Sequence, residues 1–339
     1  MTNAFDKLSE PERKQHLMDV ARRALLHWDL AQNTSLTLLN ISENATYRVD
    51  NPQGDAPLIL RVHRTGYHTL NAVRTELAWM TALQEDAGVR TPQAIAANDG
   101  EMIKIIESPT LNEQRMVVMF AFIEGAEPDA AALLEPFSRL GRVAARMHRH
   151  ARDWQRPAYF ERLVWDYAGT LGENGNWGRW QDGLGLDHEA RETLGEMDAL
   201  IRKRLQHFGS GPDRFGLIHA DLRLANLLET DNDTRVIDFD DAGLGWFLYD
   251  IATALSFMEG RDDIDELIAA WVAGYRLEAP LLDEEVAEIP TFLMLRRLAI
   301  IAWVGSHSDT DLARELGVPF TTASVPLARR YIEKFGHSV

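Results

Sequence analysis

Cysteine is absent from this chain, which removes disulfides, thiol catalysis and Cys-ligated zinc together and fits a reducing cytoplasm. No run approaches the roughly 18 uninterrupted apolar residues of a membrane span, so no membrane partner is expected. Residues 1–14 are mostly polar instead of basic and then apolar, so no secretory leader is expected either. Positive charge is scarce as well: 35 Lys and Arg face 52 Asp and Glu, for a formal net charge of -17. Such a field repels nucleic acid and anionic membranes, whose binding rests on basic contacts to phosphate. The acidic surplus either draws cationic small molecules or serves solubility, and composition does not choose between the two.

What is present suits a globular protein, with 45% hydrophobic and 26% charged residues in a chain of 339, enough for two lobes of ordinary size. Leu17, Ala21, Ala24 and Trp28 recur at helical spacing and predict a helix over 11–30. From residue 35 the period shortens. Runs at 36–41, 46–49 and 58–62 read as antiparallel strands, with residues 51–55 as the turn before the third. A helix carrying Val73, Leu77, Met80 and Leu83 on one face follows, and then strands at 102–106 and 116–122, for a sheet of about five strands.

Beyond residue 122 the pattern is mostly helical. Phe137, Leu140, Ala144 and Met147 mark a helix ending near His148, with His148 to His150 in its last turn, where positive charge suits the helix dipole. Residues 152–186 are rich in Trp, Tyr and Gly with weak periodicity, and read as an insertion over an acceptor site. A helix is expected over 189–208, and two or three more over 264–330, separated by Pro280, Pro290 and Pro319. Trp271, Tyr275 and Trp303, among carboxylates of that region, would either pack in the core or box an ammonium group.

The most informative stretch is 217–241: a short apolar strand, a polar loop, a hairpin and a second apolar strand that delivers acidic side chains. Asp221 is followed five positions on by Asn226, and Asp238 ends the next strand. Phosphoryl transfer needs a carboxylate beside the acceptor hydroxyl and hard oxygen ligands for a magnesium ion on the nucleotide phosphates. Asp221 suits the first need; Asn226 and Asp238 suit the second. D-x-x-x-x-N spacing is a weak signal by itself. Joined to His219, the flanking apolar strands and Asp238 in a D-F-D triplet, it becomes specific.

This segment resembles the aminoglycoside phosphotransferase and choline kinase group of small-molecule kinases, which read H-x-D-x-x-x-x-N and then, after a short run, D-x-D. The resemblance implies an α+β, protein-kinase-like bilobal fold. An antiparallel sheet and helix would form a nucleotide-binding lobe over 1–122, and a mainly helical lobe over 123–339 would carry catalysis and acceptor binding. It implies a cytoplasmic kinase using ATP and Mg2+, with a hydroxyl of a small, amino-bearing, cationic molecule as acceptor: an aminoglycoside, a choline-like alcohol or a homoserine-like one.

Residue by residue, the resemblance makes Asp221 the group that orients and deprotonates the hydroxyl, Arg223 a γ-phosphate contact, and Asn226 and Asp238 the metal ligands. Arg61 stands where such folds place a phosphate-binding cation, with Glu76 as its ion-pair partner; alone, each would read as a surface residue. Asn44 and Thr46 lie in the glycine-free hairpin beginning at Ser42, where phosphate would be cradled. Phe120 and Phe122 bound a zone for adenine. His219 is expected to hold the loop more than to transfer protons, and Asp240 to assist the metal or meet the acceptor. Asp250 would open a helix over 251–258, cap it and brace the catalytic loop.

Other readings remain open on the sequence. Only residues 239–249 separate Asp238 from Asp250, too few for a peptide-docking activation segment, which weighs against an atypical Ser/Thr protein kinase. A metal-dependent phosphoesterase using His219, Asp221, Asp238 and Asp240 would need further ligands. A non-catalytic nucleotide sensor would leave the filled catalytic positions without a purpose.

Overall fold

In the β-strand that holds Ala45, Tyr47 and Val49, every second residue is buried, and that period of two builds the first part of the molecule. The computed structural model describes residues 4–41, 44–54, 56–108, 110–230, 233–308 and 310–337. Ser42 and Glu43 of the first hairpin and Asp55 of the following turn lie outside them. The chain divides into two compact units: Met1–Ala82 with Thr91–Glu124 and Pro157–Glu161, and Leu83–Arg90 with Gly125–Arg156 and Arg162–Val339.

In chain order, the elements before residue 124 are α1 (Glu10–Leu25), β1 (Ser35–Ile41), β2 (Ala45–Asp50), β3 (Leu58–Val62), α2 (Leu70–Ala87), β4 (Ala94–Ile95), β5 (Ile103–Glu107) and β6 (Gln114–Ala121). The sheet is antiparallel throughout, in the order β1-β2-β3-β6-β4 with β5 also on β6. It has six strands where about five were expected, because β4 is two residues long, too short for alternation to show. The apolar face of α1, through Leu17, Val20, Ala21 and Ala24, joins Trp28, Tyr47, Leu60, Val62, Val117 and Met119 in the core of this unit. Glu12 starts α1 by accepting a hydrogen bond from the Ser9 backbone nitrogen at 2.8 Å.

The second unit holds α3 (Leu134–Asp153), β7 (Leu163–Trp165), α4 (Tyr167–Leu171), α5 (His188–Phe208), β8 (Phe215–Ile218), β9 (Leu227–Thr230), β10 (Asp233–Val236), β11 (Gly243–Trp246), α6 (Phe247–Ala254), α7 (Ile264–Arg276), α8 (Asp283–Val286), α9 (Ile289–Ser306) and α10 (Asp311–Phe335). β11 pairs parallel with β7 and antiparallel with β8, while β9 and β10 form a hairpin. α3 and α7 touch backbone to backbone. A Cβ on Gly141 would meet the Trp271 carbonyl oxygen at 2.1 Å, and one on Gly274 would meet that of Ser138 at 1.9 Å, so each position admits only glycine.

One sequence expectation changes here. α3 does not end near His148 but runs to Asp153, because His148 lies on its buried face and is fully enclosed. The 152–186 segment is knit into the core through β7, α4 and the buried Trp165, Trp177 and Trp180. Of the two fates the sequence left open for Trp271 and Tyr275, core packing is the one they take, both being buried on α7. The stretch Asp283–Ser306 is long and apolar enough to cross a membrane by length and composition alone, and 78% of its apolar window is buried inside the protein. α9 within it is apolar around its circumference, the pattern of a helix enclosed on all sides.

Candidate active site

The loop after β8 turns sharply. Ala220 has φ 65°, a left-handed conformation that costs a non-glycine residue on the order of 1 kcal/mol and persists only where neighbours impose it. Those neighbours are side chains of α6. The Asp250 carboxylate, fully buried, accepts from the Ala220 nitrogen at 2.8 Å and the His219 nitrogen at 3.2 Å. Thr253 Oγ1 accepts from the Leu222 nitrogen at 2.8 Å. Asp250 itself is held by His148 of α3, whose Nε2 donates to it at 2.9 Å while Tyr275 lies 3.2 Å from its Nδ1. Asp250 was expected to cap its helix. Instead α6 begins at Phe247, directly after β11, so Asp250 falls within the first turn and its oxygens serve the loop.

His219 is fully buried, with both ring nitrogens engaged: Nδ1 accepts from the Asp221 nitrogen at 3.2 Å and Nε2 donates to the Ile237 carbonyl at 3.1 Å. That fixes its tautomer and ties the loop to the strand running toward Asp238.

Asp221 is the centre of the network. Its Oδ2 accepts from Asn226 Nδ2 at 2.8 Å and from Arg223 Nε at 3.1 Å, and its Oδ1 accepts from Arg296 Nη2 at 2.6 Å. Burial pushes the carboxyl toward protonation, but the charges of Arg223 and Arg296 outweigh it and hold the pKa below the usual aspartate range. Asn226 Nδ2 also donates to the Asp221 carbonyl at 2.9 Å. Since the amide nitrogen faces Asp221, the amide oxygen is directed away from it.

Asp238 follows β10 in an exposed position with φ 63°, a second left-handed non-glycine residue. Its charge acts with that of Asp221, the larger contribution, to raise the Arg223 pKa. The turn after Asp238 is fastened by the aromatic-rich segment. Arg162 donates to the carbonyls of Phe239 (3.0 Å), Asp240 and Ala242, and Trp165 Nε1 donates to that of Asp241 at 2.8 Å. Asp240 and Asp241 are both buried.

Asn226 and Asp238 supply the amide and carboxylate oxygens that magnesium prefers, and such sites leave the other positions to phosphate and water. The residues present therefore fit the ion. Among the described residues no group of three or more His, Asp or Glu side chains could hold a metal, which gives the phosphoesterase reading no support.

In the first unit, Arg61 of β3 donates from Nη2 to Glu76 of α2 at 2.5 Å, both side chains buried. The Arg61 guanidinium lies 5.2 Å from the centre of the Phe120 ring, and Thr46 is its register partner on β2. Asn44 is occupied, its Oδ1 accepting from the Arg64 nitrogen at 3.0 Å, so it pins the hairpin to the end of β3. Phe122 is 37% exposed beyond β6, with Arg48 over its ring at 5.5 Å.

Reading along the sequence missed Arg296, His148, Thr253 and Arg162. The one signal available for Arg296 was chemical: Arg296 and Arg297 are adjacent cations in an otherwise apolar helix, and buried charge is rarely idle.

Residues 36–287 match the phosphotransferase enzyme family. Among solved structures, the chain is similar to a microcompartment-associated aminopropanol kinase, at 42% identity and TM-score 0.87, covering 94% of this chain and 98% of the other. It is also similar to an amicoumacin kinase solved with AMP-PNP and Ca2+, at 21% identity and TM-score 0.77 over 96% of each chain, a likeness of fold. Among sequences, the amicoumacin kinase of Bacillus subtilis is 23% identical over 287 residues, 81% of each chain.

Proposed function

For this chain, which belongs to the phosphotransferase enzyme family and is a kinase with a hydroxyl group as acceptor, we propose transfer of the γ-phosphate of ATP, with Mg2+, to a short amino alcohol of the aminopropanol kind. The observation that carries the reading is the Asp221 network, set in a chain 42% identical to the aminopropanol kinase over nearly its whole length.

Asp221 receives the acceptor hydroxyl on a lone pair left over from Asn226, Arg223 and Arg296, and aims its oxygen at the γ-phosphorus. The new O–P bond forms as the bond to the β–γ bridging oxygen breaks, the hydroxyl proton passes to Asp221, and ADP leaves. The low pKa of Asp221 suits this, because a loose phosphoryl-transfer transition state draws more on orientation than on basicity. Arg223 spends its Nε on Asp221, and its Nη groups reach toward the γ-phosphate. Arg61, braced by Glu76, grips nucleotide phosphates; Thr46 and Asn44 belong to the phosphate hairpin, and Phe120 to Phe122 is the adenine zone. Asn226 Oδ1 and Asp238 would hold the Mg2+, which when bound would neutralise charge on the phosphates. The protein works in the cytoplasm.

ATP consumption screened over amino alcohols, choline-like alcohols, homoserine, aminoglycosides, sugars and a peptide panel tests this. The highest kcat/KM is expected on a short amino alcohol. Turnover on peptides alone, or a strong preference for sugars, would sink the proposal. In the same assay Asp238→Ala is expected to weaken Mg2+-dependent nucleotide binding by at least about tenfold, because a charged metal ligand is lost; an unchanged Mg2+ dependence would remove Asp238 from that role.

A further inference from the structure

We infer that Arg296 is a positioning residue for phosphoryl transfer: from α9 it sets the orientation of the Asp221 carboxylate through a guanidinium anchored at three separate nitrogens. The inference rests on the reading of Asp221 as the group facing the acceptor.

The geometry is specific to arginine. Nη2 donates to Asp221 Oδ1 at 2.6 Å, Nη1 points at the Ala220 carbonyl at 3.4 Å, and Nε donates to Ser256 Oγ at 3.2 Å. Its Cζ lies over the Trp177 ring, 4.7 Å from the ring centre. A lysine ammonium could supply the charge but not three directed contacts in one plane. Arg296 is 3% exposed, and burying a cation costs several kcal/mol before its partners are counted. Asp221 and Ala220 lie in the catalytic loop and Ser256 just after α6, the helix that braces that loop, while Tyr249 within α6 and Asp241 after Asp238 also act on its charge.

The next residue offers a comparison. Arg297 is buried to the same degree, yet it turns to Glu259 Oε2 at 2.8 Å, Ser324 Oγ at 2.8 Å and the Phe320 carbonyl at 3.4 Å, none of which touches the loop. One arginine thus ties helices together, while its neighbour reaches the reacting carboxylate. With Oδ2 shared between Asn226 and Arg223, Arg296 supplies the only hydrogen bond to Oδ1 among the described residues and so decides how the carboxylate is rotated.

The test separates charge from direction. Arg296→Gln loses both, and is expected to lower kcat roughly 10²-fold with KM for ATP within about threefold, and to move the acid limb of kcat to higher pH. Arg296→Lys keeps the charge and is expected to restore the limb but not kcat. Ser256→Ala, which frees only Nε, is expected to lose about three- to tenfold in kcat. Arg297→Lys, which touches no catalytic group, is expected to lower Tm while leaving kcat and its pH profile within about twofold. The 13C carboxyl signal of Asp221 at one fixed neutral pH, assigned by its loss in Asp221→Asn, should change position in Arg296→Gln and stay in place in Arg297→Lys. This last reading needs no acceptor, so it judges the inference even if the proposed function fails.

Arg296→Lys and Ser256→Ala proteins that both keep kcat within about twofold of wild type would overturn the assignment, whether or not Arg296→Gln folds. So would an Asp221 carboxyl signal that stays in place when Arg296 is removed.

Discussion

Asp221→Asn is expected to lower kcat by at least about 10³-fold while leaving the Kd for ATP within about threefold. The substitution keeps the shape of the side chain but replaces one acceptor oxygen by a donor. Both carboxylate oxygens already receive donors, Asn226 and Arg223 on one and Arg296 on the other. An amide must therefore set two N–H groups against each other on one side, and it also loses the lone pair that would receive the acceptor proton. Steady-state kinetics with calorimetric nucleotide binding separates the two effects; a variant turning over near the wild-type rate would refute the role given to Asp221.

The pH dependence has a definite sign. The folded pKa of Asp221 is depressed by Arg223 and Arg296 against the opposing effect of burial. The carboxylate thus contributes stability above its unfolded pKa, and that contribution is lost as pH falls through the lower folded value. The acid limb of kcat should lie below the ordinary aspartate range for the same reason.

Asp250→Ala is expected to be the most destabilising single change near the site, at about 3–5 kcal/mol, with kcat falling as well. Removal leaves the backbone nitrogens of His219 and Ala220 and the ring of His148 without their acceptor in a fully buried place. It also frees Ala220 from the left-handed backbone that the carboxylate imposes. Urea unfolding gives the stability change, and a loss under about 1 kcal/mol would show that the brace is weaker than its geometry suggests.

Much of this architecture was legible from spacing alone. The alternation at Tyr47 and Val49 marked β2, the helical repeat at Leu17, Ala21 and Ala24 marked α1, and the catalytic stretch stood out because its functional residues sit five and seventeen positions apart in one chain segment. What escaped has a common physical cause. Arg296 meets Asp221 across 75 residues and His148 meets Asp250 across 102. Period and turn chemistry describe only a residue's own element, so the partner at the far end of a side chain is invisible to them. β4 was too short to have a period. The start of α6 was placed one turn late, after Asp250, because β11 feeds the helix without a loop, and a junction of that kind lacks the polar residues that usually mark a helix start.

The turn that carries Asp238 is stitched down by Arg162 and Trp165 at four successive carbonyl-bearing residues, 239 to 242, and passes at once into β11 and α6. Enzymes that are thrown on and off by tagging one loop keep that loop slack until the tag arrives. Here the slack has been sewn out: a loop pinned at each of these carbonyls has no spare length to swing away from the residues beside it.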